Sequence, residues 1–151
     1  MTSPVNLPER LSGNNTEVEL VKVLVLGSGG REHALARGII QSSSLDRLWV
    51  AEGNAGTSAI ATNLQLNIED NDAVAKTAQA LEIDLVVVGP EIPLANGVVD
   101  TLTRLGIAAF GPTQSGARIE SSKSFARRVM QDANVPSPSF EVFSDLGRAL
   151  A

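Results

Sequence analysis

Two near-continuous apolar runs stand out from the helix-period spacing around them. Residues 20–26 read L-V-K-V-L-V-L and residues 84–88 read D-L-V-V-V. Both are rich in β-branched side chains, as expected of central strands covered on both faces. Gly27 ends the first run. A helix then fits residues 31–41, where Leu35 and Ile39 lie one turn apart, with Ala36 and Ile40 beside them on the same broad face. Residues 48–51 and 64–68 give two shorter strands, and Asp72 is placed to cap a helix whose Val74, Ala78 and Leu81 share a face. Gly89 and Pro90 stop the 84–88 strand. A helix carrying Val98, Val99, Leu102 and Leu105 follows, and residues 107–110 supply a fifth strand closed by Gly111 and Pro112.

Strand and helix thus alternate with short links. That pattern specifies right-handed crossovers and an α/β, Rossmann-like open parallel sheet of about five strands with helices on both faces. Ligands of such sheets gather beyond the carboxyl ends of the strands. Residues 1–19 mix Pro, Ser, Asn, Gly and Glu with little apolar periodicity and are expected to form a flexible extension. The sheet domain is expected over residues 20–119. Beyond it the regularity changes. Ser121 or Ser122 can cap a helix bearing Phe125, Val129 and Ala133, the prolines of V-P-S-P-S-F enforce extended chain, and Ser144 or Asp145 can cap a further helix. That last helix would be cut off at Ala151, so residues 120–151 read as a linker and the truncated start of a second domain, and the chain as a fragment of a larger enzyme.

Composition narrows the classes. Over 151 residues, 43% are hydrophobic but only 3% aromatic, so the core must be built from Val, Leu, Ile and Ala, the usual filling between helices and a parallel sheet. The absence of cysteine excludes a disulfide framework, a thiolate metal site and a cysteine nucleophile. A formal charge of -5 argues against a nucleic-acid partner, although Arg118, Lys123, Arg127 and Arg128 make a locally positive stretch. No signal peptide or stretch of membrane-spanning length is recognisable, so a cytoplasmic protein with no membrane partner is expected.

The chemistry concentrates at one edge of the expected sheet. G-S-G-G-R-E-H, residues 27–33, lies between the first strand and the first helix, where backbone N–H groups point outward and the helix dipole favours an anion. A phosphate group is expected there, with glycines letting it approach the backbone and Arg31 adding a charge-assisted contact. The competing reading is a tight turn with solvated Arg31 and Glu32. A dinucleotide fingerprint would place its third glycine where Glu32 stands, while Glu52 could serve as its ribose-binding acid. Two further loops, A-E-G-N-A-G-T at 51–57 and G-P-E-I-P-L at 89–94, fall at the same edge. In the second, Glu91 is stiffened between prolines and could accept hydrogen bonds from an amine or from ribose hydroxyls. Otherwise it is a helix-start carboxylate.

Taken in order, V-L-V-L-G-S-G-G-R-E-H-A-L-A, G-N-A-G-T, D-L-V-V-V-G-P-E-I-P-L-A-N-G-V-V-D, and F-G-P-T followed by S-K-S-F resemble the N-terminal region of the glycinamide ribonucleotide synthetase family, the phosphoribosylamine–glycine ligases. The resemblance runs from about residue 22 to 140. It implies an ATP-grasp enzyme of purine biosynthesis that joins glycine to 5-phosphoribosylamine through a glycyl phosphate, using ATP and magnesium or manganese. It also implies a substrate-binding role for Gly29, Gly30, Arg31 and Glu91, with Asn54 and Gly56 beside them, and a place near the nucleotide phosphates for Lys123. Glu52, where Pro is common, and Ser121, where Gly is common, depart from the family pattern. The metal-binding carboxylates and most nucleotide contacts of that family would lie in a C-terminal ATP-grasp lobe beyond residue 151. No catalytic or metal-binding residue is therefore expected in this chain, which alone should neither fully bind the cofactors nor catalyse ligation. His33 reads as a packing residue of the R-E-H-A-L run, and Lys123 could equally be an exposed helix-start residue. The alternatives are a dinucleotide-binding or regulatory module without ligase chemistry, and the amino-terminal domain of another ATP-grasp ligase.

Overall fold

In the computed structural model, which describes residues 20–150, the apolar run after Leu20 forms β1 (Val21–Gly27), the centre of a five-stranded sheet. Its neighbours are β2 (Leu45–Glu52) on one side and β4 (Leu85–Val88) on the other, with β3 (Thr62–Leu64) and β5 (Ala108–Phe110) at the edges. All four pairings are parallel. Leu24 lies opposite Trp49 and Val86, and Leu26 opposite Ala51 and Val88, so the three central strands meet through apolar residues.

Alternation along β1 divides the core into two layers, because successive side chains leave opposite faces of a strand. Val23 and Val25 point with Leu48, Val50 and Val87 towards Ala36 of α1 (Gly30–Ile39). Leu24, Leu26, Trp49, Val86 and Val88 point the other way. There they meet Val74 and Ala78 of α2 (Asn71–Ala80), Leu94 of the short α3 (Glu91–Ala95), Val98, Val99 and Leu102 of α4 (Val98–Arg104), and Ala117 of α5 (Gln114–Ser121). Helices thus cover both faces, as the alternating pattern predicts. The chain builds outward from β1 to β3, then crosses back to β4 on the other side of β1. The crevice between the carboxyl ends of β1 and β4 is therefore the topological switch point, where open α/β sheets bind ligands.

Several local expectations shift. Leu64, Leu66 and Ile68 alternate like a strand, but β3 is Thr62–Leu64, set by pairing with Trp49–Ala51 of β2. Ile68 is buried from an unpaired segment instead. The cap of α2 is Asp70, whose Oδ1 accepts from the amides of Asp72 and Ala73, each at 3.0 Å. Asp72 already lies in the first helical turn, where a side chain no longer reaches the orphan amides from outside. Leu35 and Leu105, two of the apolar positions assigned to the helices, are exposed, the latter lying just past the end of α4.

The 114–121 segment forms α5, a helix the apolar pattern does not announce. Its single buried residue is Ala117, and its start is held by the Thr113 hydroxyl, which accepts from the Gly116 amide, and by Asp100, whose Oδ2 accepts from the Gln114 amide at 2.7 Å. Of the two serines that could cap the next helix, Ser122 does so for α6 (Lys123–Asp132). There the Arg118 guanidinium lies 3.9 Å over the Phe125 ring. Asp145 starts α7 (Leu146–Leu150) by accepting from the Arg148 amide. The proposed extension at 1–19 lies outside the described residues.

Candidate functional site

Three loops meet at the switch point, and their own hydrogen bonds hold them together. The 53–57 loop docks on the 27–29 loop: the Gly53 amide donates to Gly27 O at 3.1 Å, and Asn54 Nδ2 donates to Ser28 O at 2.8 Å and to Gly29 O at 3.3 Å. Asn54 Oδ1 accepts from the amides of Gly56 and Thr57. Both ends of that side-chain amide are thus spent on loop geometry. Beneath it, the fully buried Thr57 hydroxyl accepts from the Asn54 amide at 2.7 Å and donates to Asn63 Oδ1 at 2.8 Å or to Asn54 O at 2.9 Å. Asn63 Nδ2 closes the knot on Asn54 O.

Glu32 joins the third loop to the first. The residue is 4% exposed; its carboxylate accepts from the Gly29 amide at 2.7 Å and from Arg31 Nε at 3.1 Å, and its side chain fills the space where a Cβ on Gly27, Gly29 or Gly89 would stand. A buried carboxylate is tolerated only when paired and hydrogen-bonded. Here it takes the amide that precedes the helix, as a Glu at the third helical position does in a capping box. These three positions are therefore glycine largely to admit Glu32. Gly30 differs: a Cβ there would meet nothing within 4 Å. Among the described residues, no acceptor takes the amides of Gly30 and Arg31, which leaves two donors at the exposed start of α1.

Arg31 bridges the two acids of the crevice. Its Nη2 lies 3.7 Å from Glu91 Oε2 while Nε is bonded to Glu32. The hydrogen bond to Glu32, with the fields of Glu32, Glu91 and Glu120, holds the guanidinium even more firmly protonated than usual. More than half of each of the Arg31 and Glu91 side chains remains in solvent, so both are open to a ligand. Glu91 opens α3, directly after the turn made by Gly89 and Pro90. The His33 ring packs on Gly56, where a Cβ would come within 2.7 Å of Nδ1, the packing role expected of it. Gly29, Gly30, Arg31, Asn54, Gly56 and Glu91 are thus gathered at one place. Glu52 stands exposed at the end of β2, opposite Gly27. Lys123 is not tied into these loops. It is exposed at the start of α6, in a groove of about 340 Å³ shared with Ser124, Arg127, Phe140, Glu141, Val142 and Phe143.

The profile of the family described as "Phosphoribosylglycinamide synthetase, N domain" matches residues 21–120, from the first residue of β1 to the last turn of α5. The chain belongs to the phosphoribosylglycinamide synthetase N-domain family. It is 44% identical over 131 residues to a phosphoribosylamine–glycine ligase from Halalkalibacterium halodurans, an alignment covering 87% of this chain and 31% of that protein. It is 46% identical over 126 residues to the trifunctional purine biosynthetic protein adenosine-3 of Gallus gallus, covering 82% of this chain and 13% of that protein. Among solved structures, the phosphoribosylamine–glycine ligase of Thermotoga maritima superposes with a TM-score of 0.59 at 30% identity, over 80% of this chain and 27% of that one. The chain thus spans less than a third of the length of these relatives. The three loops of this phosphoribosylglycinamide synthetase N domain fall inside the matched segment, whereas Lys123 lies just beyond it.

Glu32, Thr57 and Asn63 are the residues that reading the motifs overlooked as builders of the site. For Glu32 a signal was present: a glutamate three residues after a loop glycine, at the entry to a helix, has the spacing of a capping box. Thr57 and Asn63 carry no such local signature. Among the described residues no helix is long and apolar enough to cross a membrane.

Proposed function

We propose that this chain supplies the phosphoribosylamine-binding part of an ATP-dependent phosphoribosylamine–glycine ligase, which forms glycinamide ribonucleotide from 5-phosphoribosylamine, glycine and ATP in purine biosynthesis in the cytoplasm. The observation that carries the reading is the pairing, at one switch-point crevice, of two unclaimed amides and a guanidinium with an exposed carboxylate. The amides of Gly30 and Arg31 and the Arg31 side chain suit a phosphate, and Glu91 suits the amine or ribose hydroxyls at the other end of the same small molecule. Asn54 and Gly56 contribute by shaping the loop that walls the crevice.

Lys123 and Arg127, one turn apart on α6, put two cations on a groove with Phe140 and Phe143, a donor set that fits a nucleotide's phosphates. Bound there, ATP would supply the phosphoryl group that activates the carboxylate of glycine, and the two cations would hold and orient it. Magnesium or manganese does not fit this chain, since among the described residues no group of three or more His, Asp or Glu side chains is arranged to hold a metal ion. In this reading the metal's ligands belong to the C-terminal ATP-grasp lobe, the chain's principal partner. The family match and the relatives' names favour this over a dinucleotide module, for which Glu32 stands in the place of the third glycine.

Calorimetric titration of the 151-residue chain with phosphoribosylglycinamide, run beside NAD, tests the reading. Phosphoribosylglycinamide is expected to bind and NAD not to. Glu91→Ala should weaken binding by about tenfold or more, the loss of one hydrogen bond to a charged group. Binding of NAD with none of phosphoribosylglycinamide would refute the assignment.

A further inference from the structure

We infer that Glu32 is a specificity-determining residue: its carboxylate occupies the place that a diphosphate takes in dinucleotide-binding sheets and so restricts the crevice to a single phosphate. In a G-x-G-x-x-G turn the second glycine lets the backbone approach the pyrophosphate. The corresponding glycine is Gly29. Its amide is already bonded to Glu32 Oε2 at 2.7 Å, and the same oxygen stands 2.7 Å from where a Gly29 Cβ would be. A diphosphate reaching for that amide meets a carboxylate instead, with the rest of the Glu32 side chain packed against Gly27 and Gly89 across the mouth between β1 and β4.

The neighbouring donors stay free. The Gly30 and Arg31 amides have no acceptor among the described residues, so one phosphate can sit one step further along the helix start. Glu32 also takes Arg31 Nε, which turns the remaining guanidinium nitrogens towards Glu91 and the crevice. One side chain therefore blocks a polyphosphate seat and positions the arginine that serves the monophosphate seat. This deepens the phosphoribosylamine reading and rests on it for the identity of the phosphate.

The test uses two variants and inorganic diphosphate, NAD and ribose 5-phosphate as probes, followed by titration and by amide signals in nitrogen-edited NMR spectra. Glu32→Ala empties the seat and is expected to bind diphosphate or NAD at least about tenfold more tightly than wild type, with the Gly29 amide shifting on binding. Glu32→Gln keeps an oxygen on the Gly29 amide, so it should fold like wild type and gain nothing. A Glu32→Ala protein that folds without gaining diphosphate, or a gain as large in Glu32→Gln, overturns the inference. Should Glu32→Ala fail to fold, amide exchange in the free wild-type chain decides. Gly29, in an exposed loop, is expected to exchange much more slowly than Gly30, and equal rates overturn the proposal. Failure of ribose 5-phosphate to bind wild type while Glu32→Ala gains diphosphate would remove the ligase reading and leave the role of Glu32 standing.

Discussion

Thr57→Val isolates the hydrogen-bond knot that holds the 53–57 loop in place. Valine has nearly the volume of threonine, so the buried site keeps its packing and loses only the hydroxyl. Two interactions go with it: the Asn54 amide loses its acceptor at 2.7 Å, and Asn63 Oδ1 loses a donor at 2.8 Å. The hydroxyl proton serves either Asn63 Oδ1 or Asn54 O at any moment, so the second alternative adds no further bond. A buried donor left unsatisfied costs about 1–3 kcal/mol and an ordinary lost bond about 0.5–1.5, which together give about 2–4 kcal/mol. With an unfolding entropy of about 2.1 cal/mol/K per residue over roughly 130 residues, that is a fall in Tm of about 7–15 °C. Urea unfolding should report the same loss as a lower midpoint at unchanged slope. Thr57→Ser keeps the hydroxyl and should lose only about 1 kcal/mol for its missing methyl. If Thr57→Val lost less than about 0.5 kcal/mol, the loop would not depend on this knot and the reasoning would fail.

Other substitutions probe the remaining supports. Gly89→Ala would drive a Cβ into the Glu32 carboxylate and should destabilise by about 1–3 kcal/mol, whereas Gly30→Ala, with open space at its Cβ, should leave the urea midpoint nearly unchanged while weakening phosphate binding. Leu24→Ala empties a fully buried position in the central strand and should cost about 2–5 kcal/mol by the same measurement, against a change within about 0.5 for the largely exposed Phe110→Ala. The Lys22–Glu82 pair, 2.8 Å apart, lowers the Glu82 pKa from its ordinary 4.5, chiefly through the hydrogen bond. A lowered folded-state pKa adds stability that is present above 4.5 and lost as pH falls through the folded value. Tm profiles of wild type and Glu82→Gln should therefore differ slightly at neutral pH, converge in acid, and draw together in high salt because the pair is exposed.

The fold was legible wherever burial is two-sided. β1 and β4 carry no alternation because both faces are covered, and their uninterrupted apolar runs announce a parallel sheet. The ends of elements were less legible because tertiary partners set them: β3 extends only as far as Trp49–Ala51 can pair with it, and Ile68 is buried without a strand. α5 escaped because its apolar stripe is a single buried alanine and its start depends on Asp100, fourteen residues earlier. At the site, the gathering of three loops followed from topology and could be read in advance. What the glycines do could not, because motif reading supplies an external anion for the 27–30 turn. Folding brings an internal one, Glu32, to Gly27, Gly29 and Gly89 and leaves only the next amides open.

The most direct test of the account is a crystal structure of the chain soaked with phosphoribosylglycinamide. The expected result is the phosphate on the Gly30 and Arg31 amides, the ribose or its nitrogen substituent against Glu91, and Glu32 still holding the Gly29 amide. Density for the ligand elsewhere, for instance in the polar groove along α4 lined by Asn71, Asp100 and Gln114, with the switch-point crevice empty, would contradict it.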